Sequence, residues 1–335
     1  MLDAYERASK NKHKCKEVIT YELDLANNLT TTLKQLYSGT YRVGHYRQFK
    51  IYEPKERVIE ALPFRDRIVQ QWYVEEFIKP IFVPKFIQDT YACLDERGVH
   101  KSVKKLNKYM YEYSKLNEDF YILKCDISKF FYSINKKILY QIIRRYVKDR
   151  AFLELTKQLI CHDNKEEGIP IGNYTSQYYA NIYLNVLDHF VKEKLGVKYY
   201  VRYMDDFVLL LKDKESCKKT LKTLKYFLEK TLKLKLNKKT NYFKGKQGVN
   251  FCGYKIYNTH IMLKNENKKK CFNSSPAAFS NNKTCRRGNR NFNGIKFGTN
   301  VYSNFVNLGL FEYGHLWTLV IYKMEIRTSK NSPIY

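Results

Sequence analysis

Three aspartates carry the chemistry this sequence offers. Asp126 closes the apolar run "YILKCD", and Asp205 and Asp206 stand together in "RYMDDFVLL". Successive strand residues point to opposite faces, so at least one carboxylate of that pair meets the core or a cleft. Three carboxylates gathered in one place repel one another unless a cation neutralises them. Mg²⁺ takes oxygen ligands and keeps positions open for phosphate oxygens. Two such ions about 3.5–4 Å apart clamp the attacking and leaving oxygens of an in-line phosphoryl transfer. Read alone, the "MDD" turn also fits a pair of aspartates capping a hairpin. Asp126, at the end of a strand of its own, favours the metal site.

The elements that must position these groups follow from periodicity. Residues 1–40 are polar and helix-like, with "DLANNLTTTLKQLYSG" closing on Gly39. "YRQFKIYEPKERVIEALPF" reads as two short strands around the turn "EPKE", and "RDRIVQQWYVEEFIKPIF" as an amphipathic helix. A basic helix covers 101–118, and a strand then ends on Asp126. "KKILYQIIRRYV" and "RAFLELTKQLICH" are helical, and "EEGIPIGNYTSQYYANIYLNVLDHFVKEKL" passes from a Gly/Pro loop into a long helix. "VKYYVRYMDDFVLLLK" is a hairpin, "ESCKKTLKTLKYFLEKTLKL" a helix and "VNFCGYKIY" a final strand pair. The order β-α-β-β-α-β predicts an α+β fold with a ferredoxin-like split βαβ sheet. From about residue 265 an Asn-, Ser- and Gly-rich basic stretch without helical period precedes an apolar tail.

Charge points to the partner. The 335 residues include 61 Lys+Arg against 33 Asp+Glu, a formal charge of +28. A field of that sign favours a polyanion, with nucleic acid first among candidates. A membrane surface is the competing partner, but the cations are spread along the chain and not confined to one amphipathic helix. Tyr and Phe, 30 and 20 residues, suit base stacking as well as cores. The eight cysteines form no C-x-x-C pair, which argues against zinc. No signal peptide or apolar run of spanning length is present, so a cytoplasmic protein with no membrane partner is expected.

On these motifs the sequence resembles the reverse transcriptases. "YMDD" between apolar strands follows "KCDISKFF" and "GIPIGNYTSQ" in the family's order; "EPKERVIEALPFRDRIVQ" is similar to its fingers, "LKLNKKT" to the motif after the catalytic hairpin and "FCGYKI" to its primer grip. The resemblance implies a right-hand polymerase fold. Residues 1–40 would be a helical extension, 41–115 the fingers, and 116–260 the palm with finger helices inserted at about 137–165. Residues 261–335 would form a divergent or incomplete thumb, or reflect a shifted reading frame. It further implies two Mg²⁺ ions, replaceable by Mn²⁺, held by Asp126, Asp205, Asp206 and the Ile127 carbonyl. Lys55 and Arg57 would meet the triphosphate of a dNTP, and Phe131 would stand as steric gate against a ribose 2′-hydroxyl. Lys239 would protonate the pyrophosphate leaving group. Tyr203, Met204, Cys252 and Gly253 would contact nucleic acid, as would Arg65 and Arg67 unless "RDR" is a salt-bridged helix start.

Within the family, "IPIGNYTSQ" is the discriminating stretch. Ile171 stands where most members carry Gln, and Gln177 where they carry Pro, with Gly172 between them. This resembles the reverse transcriptases of diversity-generating retroelements, as do "FKIYEPKERVIEALPFRDRIVQ" and "DTYACLDERGVHKSV". The likeness implies error-prone, adenine-directed copying of an RNA template into cDNA, from a DNA or RNA primer, with a small basic accessory oligomer, by a protein that is bacterial or phage-encoded in a bacterial host. Gly172 would let the backbone approach the nucleotide closely, and loss of the Gln amide would relax a hydrogen-bonded check on fit. The alternatives are a retron, group II intron-like or phage-defence reverse transcriptase, and an RNA-binding protein impaired in catalysis by loss of its thumb.

Overall fold

The computed structural model describes residues 1–52, 56–161 and 163–264. Three helices open the chain: α1 (Leu2–Ser9), α2 (Lys16–Glu22) and α3 (Leu25–Tyr37). Gly39, at φ +69°, turns the chain after α3 in a conformation that favours glycine. The hairpin β1 (Arg47–Ile51) and β2 (Arg57–Ala61) follows, then α4 (Phe64–Tyr73), which continues through a π-turn into α5 (Lys79–Phe82). No side chain within α4 or beside it caps its start. Glu17 of α2 does so, accepting the Phe64 N–H at 2.7 Å, so the opening helices are tied to α4.

Next come α6 (Val99–Leu116), β3 (Tyr121–Asp126), α7 (Phe130–Ser133), α8 (Lys136–Tyr146), α9 (Arg150–Ile160) and α10 (Tyr174–His189). Asn135 and Asp149 cap α8 and α9 through the N–H groups of Ile138 and Phe152. Then β4 (Tyr200–Tyr203) and β5 (Asp206–Leu211) form a hairpin. After α11 (Lys214–Phe227), capped by Asp213, come β6 (Asn241–Lys244), β7 (Val249–Phe251), β8 (Tyr254–Ile256) and β9 (Ile261–Leu263).

The central sheet has the order β4-β5-β3-β6, antiparallel throughout. That is the split βαβ arrangement expected from the element order. Its last strand differs from the expectation. The "VNFCGYKIY" pair belongs to a separate sheet, β7-β8-β9, and the fourth central strand is the four-residue "NYFK" of β6. Both of its ends are exposed, so it lacks the apolar run that marks β3 and β5.

The two faces of the sheet bury different cores. Leu123, Cys125, Phe207 and Leu209 pack with α10, α11 and the π-turn that follows α11, through residues such as Leu184, Leu187, Leu224 and Leu228. Ile122, Val208 and Leu210 pack on the other face with Val103, Leu106 and Met110 of α6 and with Val249, Phe251 and Ile256. The alternation of β3 and β5 residues between the cores is the period-2 pattern of a strand buried on both sides.

Candidate active site

The β3–β5 register brings the carboxylates together. Asp126 lies directly opposite Asp206, and the Ile127 N–H donates to the Asp205 carbonyl at 3.2 Å. Like charges directly opposite one another destabilise a sheet. Burial, with the Asp126 charge beside it, pushes the Asp205 carboxyl up to about 6. Asp206 also rises to about 6, chiefly through burial, against the pull of Lys124 at 3.1 Å.

Met204 gives this turn its shape. It sits at φ +55°, a left-handed conformation costly for a side chain without local hydrogen-bonding groups. Arg202 holds it there. This fully buried guanidinium donates Nη1 to the Met204 carbonyl and to Asn181 Oδ1, each at 3.1 Å. Its Nε and Nη2 grip the two oxygens of Asp188, also fully buried, at 2.7 and 2.6 Å. Tyr200 donates its hydroxyl to Asp188, and the Asn181 amide donates to the Ala92 carbonyl. The bidentate pair and its neighbours satisfy a charge that burial would otherwise make costly. Sequence reasoning that starts from the aspartates passes over Arg202. Its signal is a cation inside the apolar strand "YYVRY".

Other expected residues converge on the same edge. The Arg57 charge is felt by Asp205, which places the end of the β1–β2 hairpin where Ile51 pairs with Arg57 beside the turn. Asn237 donates its N–H to the Asp126 carbonyl at 2.7 Å, so the loop with exposed Lys239 lies along the end of β3. Cys252 and Gly253, at φ +48° and +83°, form the tight β7–β8 turn. Burial, and then the Asp206 charge, push the Cys252 thiol up to about 12. Lys124 ties β7 to the site by donating to the Asn250 carbonyl at 2.6 Å. Phe131 is half-buried, its ring edge-on to Phe130 with centroids 5.7 Å apart.

The loop before α10 is attached to the hairpin. The Ile171 carbonyl accepts the Glu60 N–H at 3.0 Å, and Asn173 donates to the Tyr46 hydroxyl at 2.7 Å. Gly172 has φ +116°, and a Cβ there would meet Ile59 Cγ2 at 3.0 Å. The close approach that this glycine permits in the structure is therefore to β2. Gln177 lies partly exposed in the first turn of α10.

Two expected cations lie in ion pairs of the protein itself. Arg65 donates to Asp66 and to the Arg42 carbonyl, and Arg67 pairs with Glu17. Both belong to the junction of α4 with the opening helices. Lys55, and the region expected as thumb beyond residue 264, lie outside the described residues.

Among the described residues, no three His, Cys, Asp or Glu side chains stand so as to hold a metal ion by themselves. The donor set at the β3–β5 edge still fits a hard cation. It is all oxygen, two of its carboxyls are raised by burial, and Asp206 Oδ1 is buried without a hydrogen-bond partner. A divalent ion there would draw its remaining ligands from substrate phosphates.

Comparison with known proteins follows the same line. The family model described as reverse transcriptase (RNA-dependent DNA polymerase) matches residues 50–256. The chain belongs to the reverse transcriptase family. It is 25% identical over 277 residues to protein YkfC of Escherichia coli K12, covering 69% of this chain and 72% of that one. It is 23% identical over 298 residues to the group II intron-encoded protein LtrA of Lactococcus lactis, covering 67% and 49%. Apo telomerase from Candida tropicalis shares the fold at a TM-score of 0.50 and 12% identity, covering 67% of this chain and 49% of that one. The chain thus spans about half the length of LtrA and of the telomerase. No helix among the described residues is long and apolar enough to cross a membrane.

Proposed function

We propose that the chain is an RNA-directed DNA polymerase that copies an RNA template into cDNA, of the error-prone kind found in diversity-generating retroelements. The observation that carries the polymerase reading is the Asp126–Asp206 pair facing each other across β3 and β5, with Asp205 in the strained turn and Arg57 beside it. Asp126, Asp205, Asp206 and the Ile127 carbonyl would hold two Mg²⁺ ions, with Mn²⁺ able to replace them. Those ions would polarise the phosphoryl oxygens and neutralise charge as it develops. The protein's part is positional: β3 and β5 fix the carboxylates, and Arg202 presets the turn. Arg57, with Lys55, would orient the dNTP triphosphate. Phe131 would exclude a 2′-hydroxyl, and Lys239 would supply the proton that leaves with pyrophosphate.

In this reading residues 41–115 act as fingers and 116–260 as palm. Tyr203, Met204, Cys252 and Gly253 lie along the primer–template, while Arg65 and Arg67 serve the α4 junction first. The mutagenic subtype rests on Ile171, whose main chain is bound to β2 while its apolar side chain replaces an amide. The likeness to LtrA favours a group II intron-like reverse transcriptase as the second reading.

Primer extension on an RNA template with Mg²⁺ and dNTPs tests both levels. Asp205→Asn should abolish extension, with a loss on the order of 10³-fold or more; a fully active variant would reject the metal site. Ile171→Gln should lower misincorporation opposite template adenine. An unchanged error spectrum would remove the mutagenic role and leave the group II-like reading.

A further inference from the structure

Residues 212–239 hold eleven lysines against three acidic residues. Their arrangement on α11 and the π-turn that extends it to Leu232 is one-sided. Cys217, Leu224, Leu228 and Leu232 bury one stripe at helical spacing against the back of the central sheet. The opposite stripe exposes Lys218, Lys219, Lys222, Lys225, Tyr226 and Lys230, with Tyr226 at 67% of full exposure. Among the described residues, the one ion pair these five lysines make is Lys218 with Glu215, at 3.3 Å.

A helix face that serves solvation alone interleaves acids with bases, because like charges three and four residues apart cost about 0.2–0.5 kcal/mol per pair. Here Lys218, Lys222 and Lys225 follow at that spacing with no acid between them, and the two acids of the face, Glu215 and Glu229, flank that run. The line does not stop at the helix. Lys233 turns the chain at φ +54°, and Leu236 bridges to Ile127. Asn237 then bonds the Asp126 carbonyl. Exposed Lys233, Lys235 and Lys238 therefore continue the positive charge from the back of the sheet to the catalytic edge.

We propose that this face is a second nucleic-acid site: a track for single-stranded RNA, about 18 Å long from Lys218 to Lys230 by the helical rise, that holds template lying outside the polymerase cleft. Phosphates are neutralised by the lysines, and Tyr226 offers a ring on which one base stacks. A basic protein partner is repelled here, so the occupant is the RNA and not an accessory protein of like charge. The proposal rests on the polymerase reading for the identity of its RNA, but not for the binding itself.

The test uses the full chain and two probes: a short RNA–DNA template–primer that fills the cleft alone, and the same duplex with a long unpaired RNA extension. A variant with Lys218, Lys219, Lys222, Lys225 and Lys230 all changed to Gln keeps helix-forming side chains at exposed positions. It should bind the extended probe about tenfold or more weakly. The slope of log affinity against log salt should fall by up to about 3.5, from roughly 0.7 per lost phosphate contact. Binding and extension of the short probe should be unchanged. Tyr226→Ser should weaken the extended probe at least severalfold with its salt slope unchanged. Equal losses on both probes, or none on the extended one, overturn the track. So does loss of binding to anionic vesicles with RNA binding intact, which would make the face a membrane patch. If the extended probe discriminates but nothing is extended, the track stands and the polymerase reading falls.

Discussion

Two antiparallel hairpins meet beside the Asp126–Asp206 pair, and they are built in opposite ways. In the β4–β5 hairpin, Tyr200 to Arg202 and Phe207 to Leu211 are buried, and the buried Arg202–Asp188 network holds the turn. In the β1–β2 hairpin, Ile59 is the single buried residue of ten strand positions, and the neighbouring Tyr52 is 69% exposed. Few buried contacts mean a low local cost of opening, whereas a dense network fixes one geometry. The difference separates two tasks. Under the proposed function, carboxylates that would hold metal ions need positions set in advance, and a strand pair that would meet an incoming triphosphate needs freedom to close on it.

Breaking the rigid side should have the largest effect. Arg202→Met strands the buried Asp188 carboxylate and should destabilise the protein by about 3–5 kcal/mol in denaturant titration. A variant within about 1 kcal/mol of the parent would show that the network does not set the turn. Arg57→Ala on the open side should leave stability within about 0.5 kcal/mol. It should raise the KM for dNTP by about tenfold to a hundredfold, from loss of a charged hydrogen bond worth about 1.5–3 kcal/mol. A large fall in melting temperature with normal KM would reverse the contrast.

Gly172→Ala probes the joint between the open hairpin and the loop before α10. At φ +116°, with Ile59 at 3.0 Å from the new methyl, it should cost about 1–3 kcal/mol and shift the hairpin as well as the loop. An amide-exchange change confined to residues 171–173 would refute the coupling.

The smallest effect should be that of charge on the rigid side. Asp206 is raised by burial, so the native state binds a proton more tightly than the unfolded chain. Its contribution to stability therefore falls as pH rises from its ordinary range to about 6. Asp206→Asn should raise the melting temperature of the metal-free protein at pH 8 by a few degrees and leave it nearly unchanged at pH 4. Equal gains at both values would assign the effect to packing.

Much of this was legible because it is local. The strand ending on Asp126, the "MDD" hairpin and the long helix after "GNYTSQ" announce themselves through apolar runs and periodicity. Their order alone implies the split sheet. β6 escaped because a four-residue strand with exposed ends leaves no period to read. Arg65 and Arg67 read equally as phosphate ligands or as helix salt bridges, since a cation carries no mark of its partner. Asp66 and Glu17 are supplied by the fold.

The sequence by itself therefore determined which groups can do chemistry: three carboxylates at strand ends, and a basic chain suited to a polyanion. Tertiary structure decided what each faces. It set Asp126 opposite Asp206, tied Arg202 to Asn181 and Asp188, and brought Lys233, Lys235 and Lys238, beyond α11, from the back of the sheet to the edge at Asp126. Strand register and helix packing fix those meetings between residues tens of positions apart, and no local pattern encodes them.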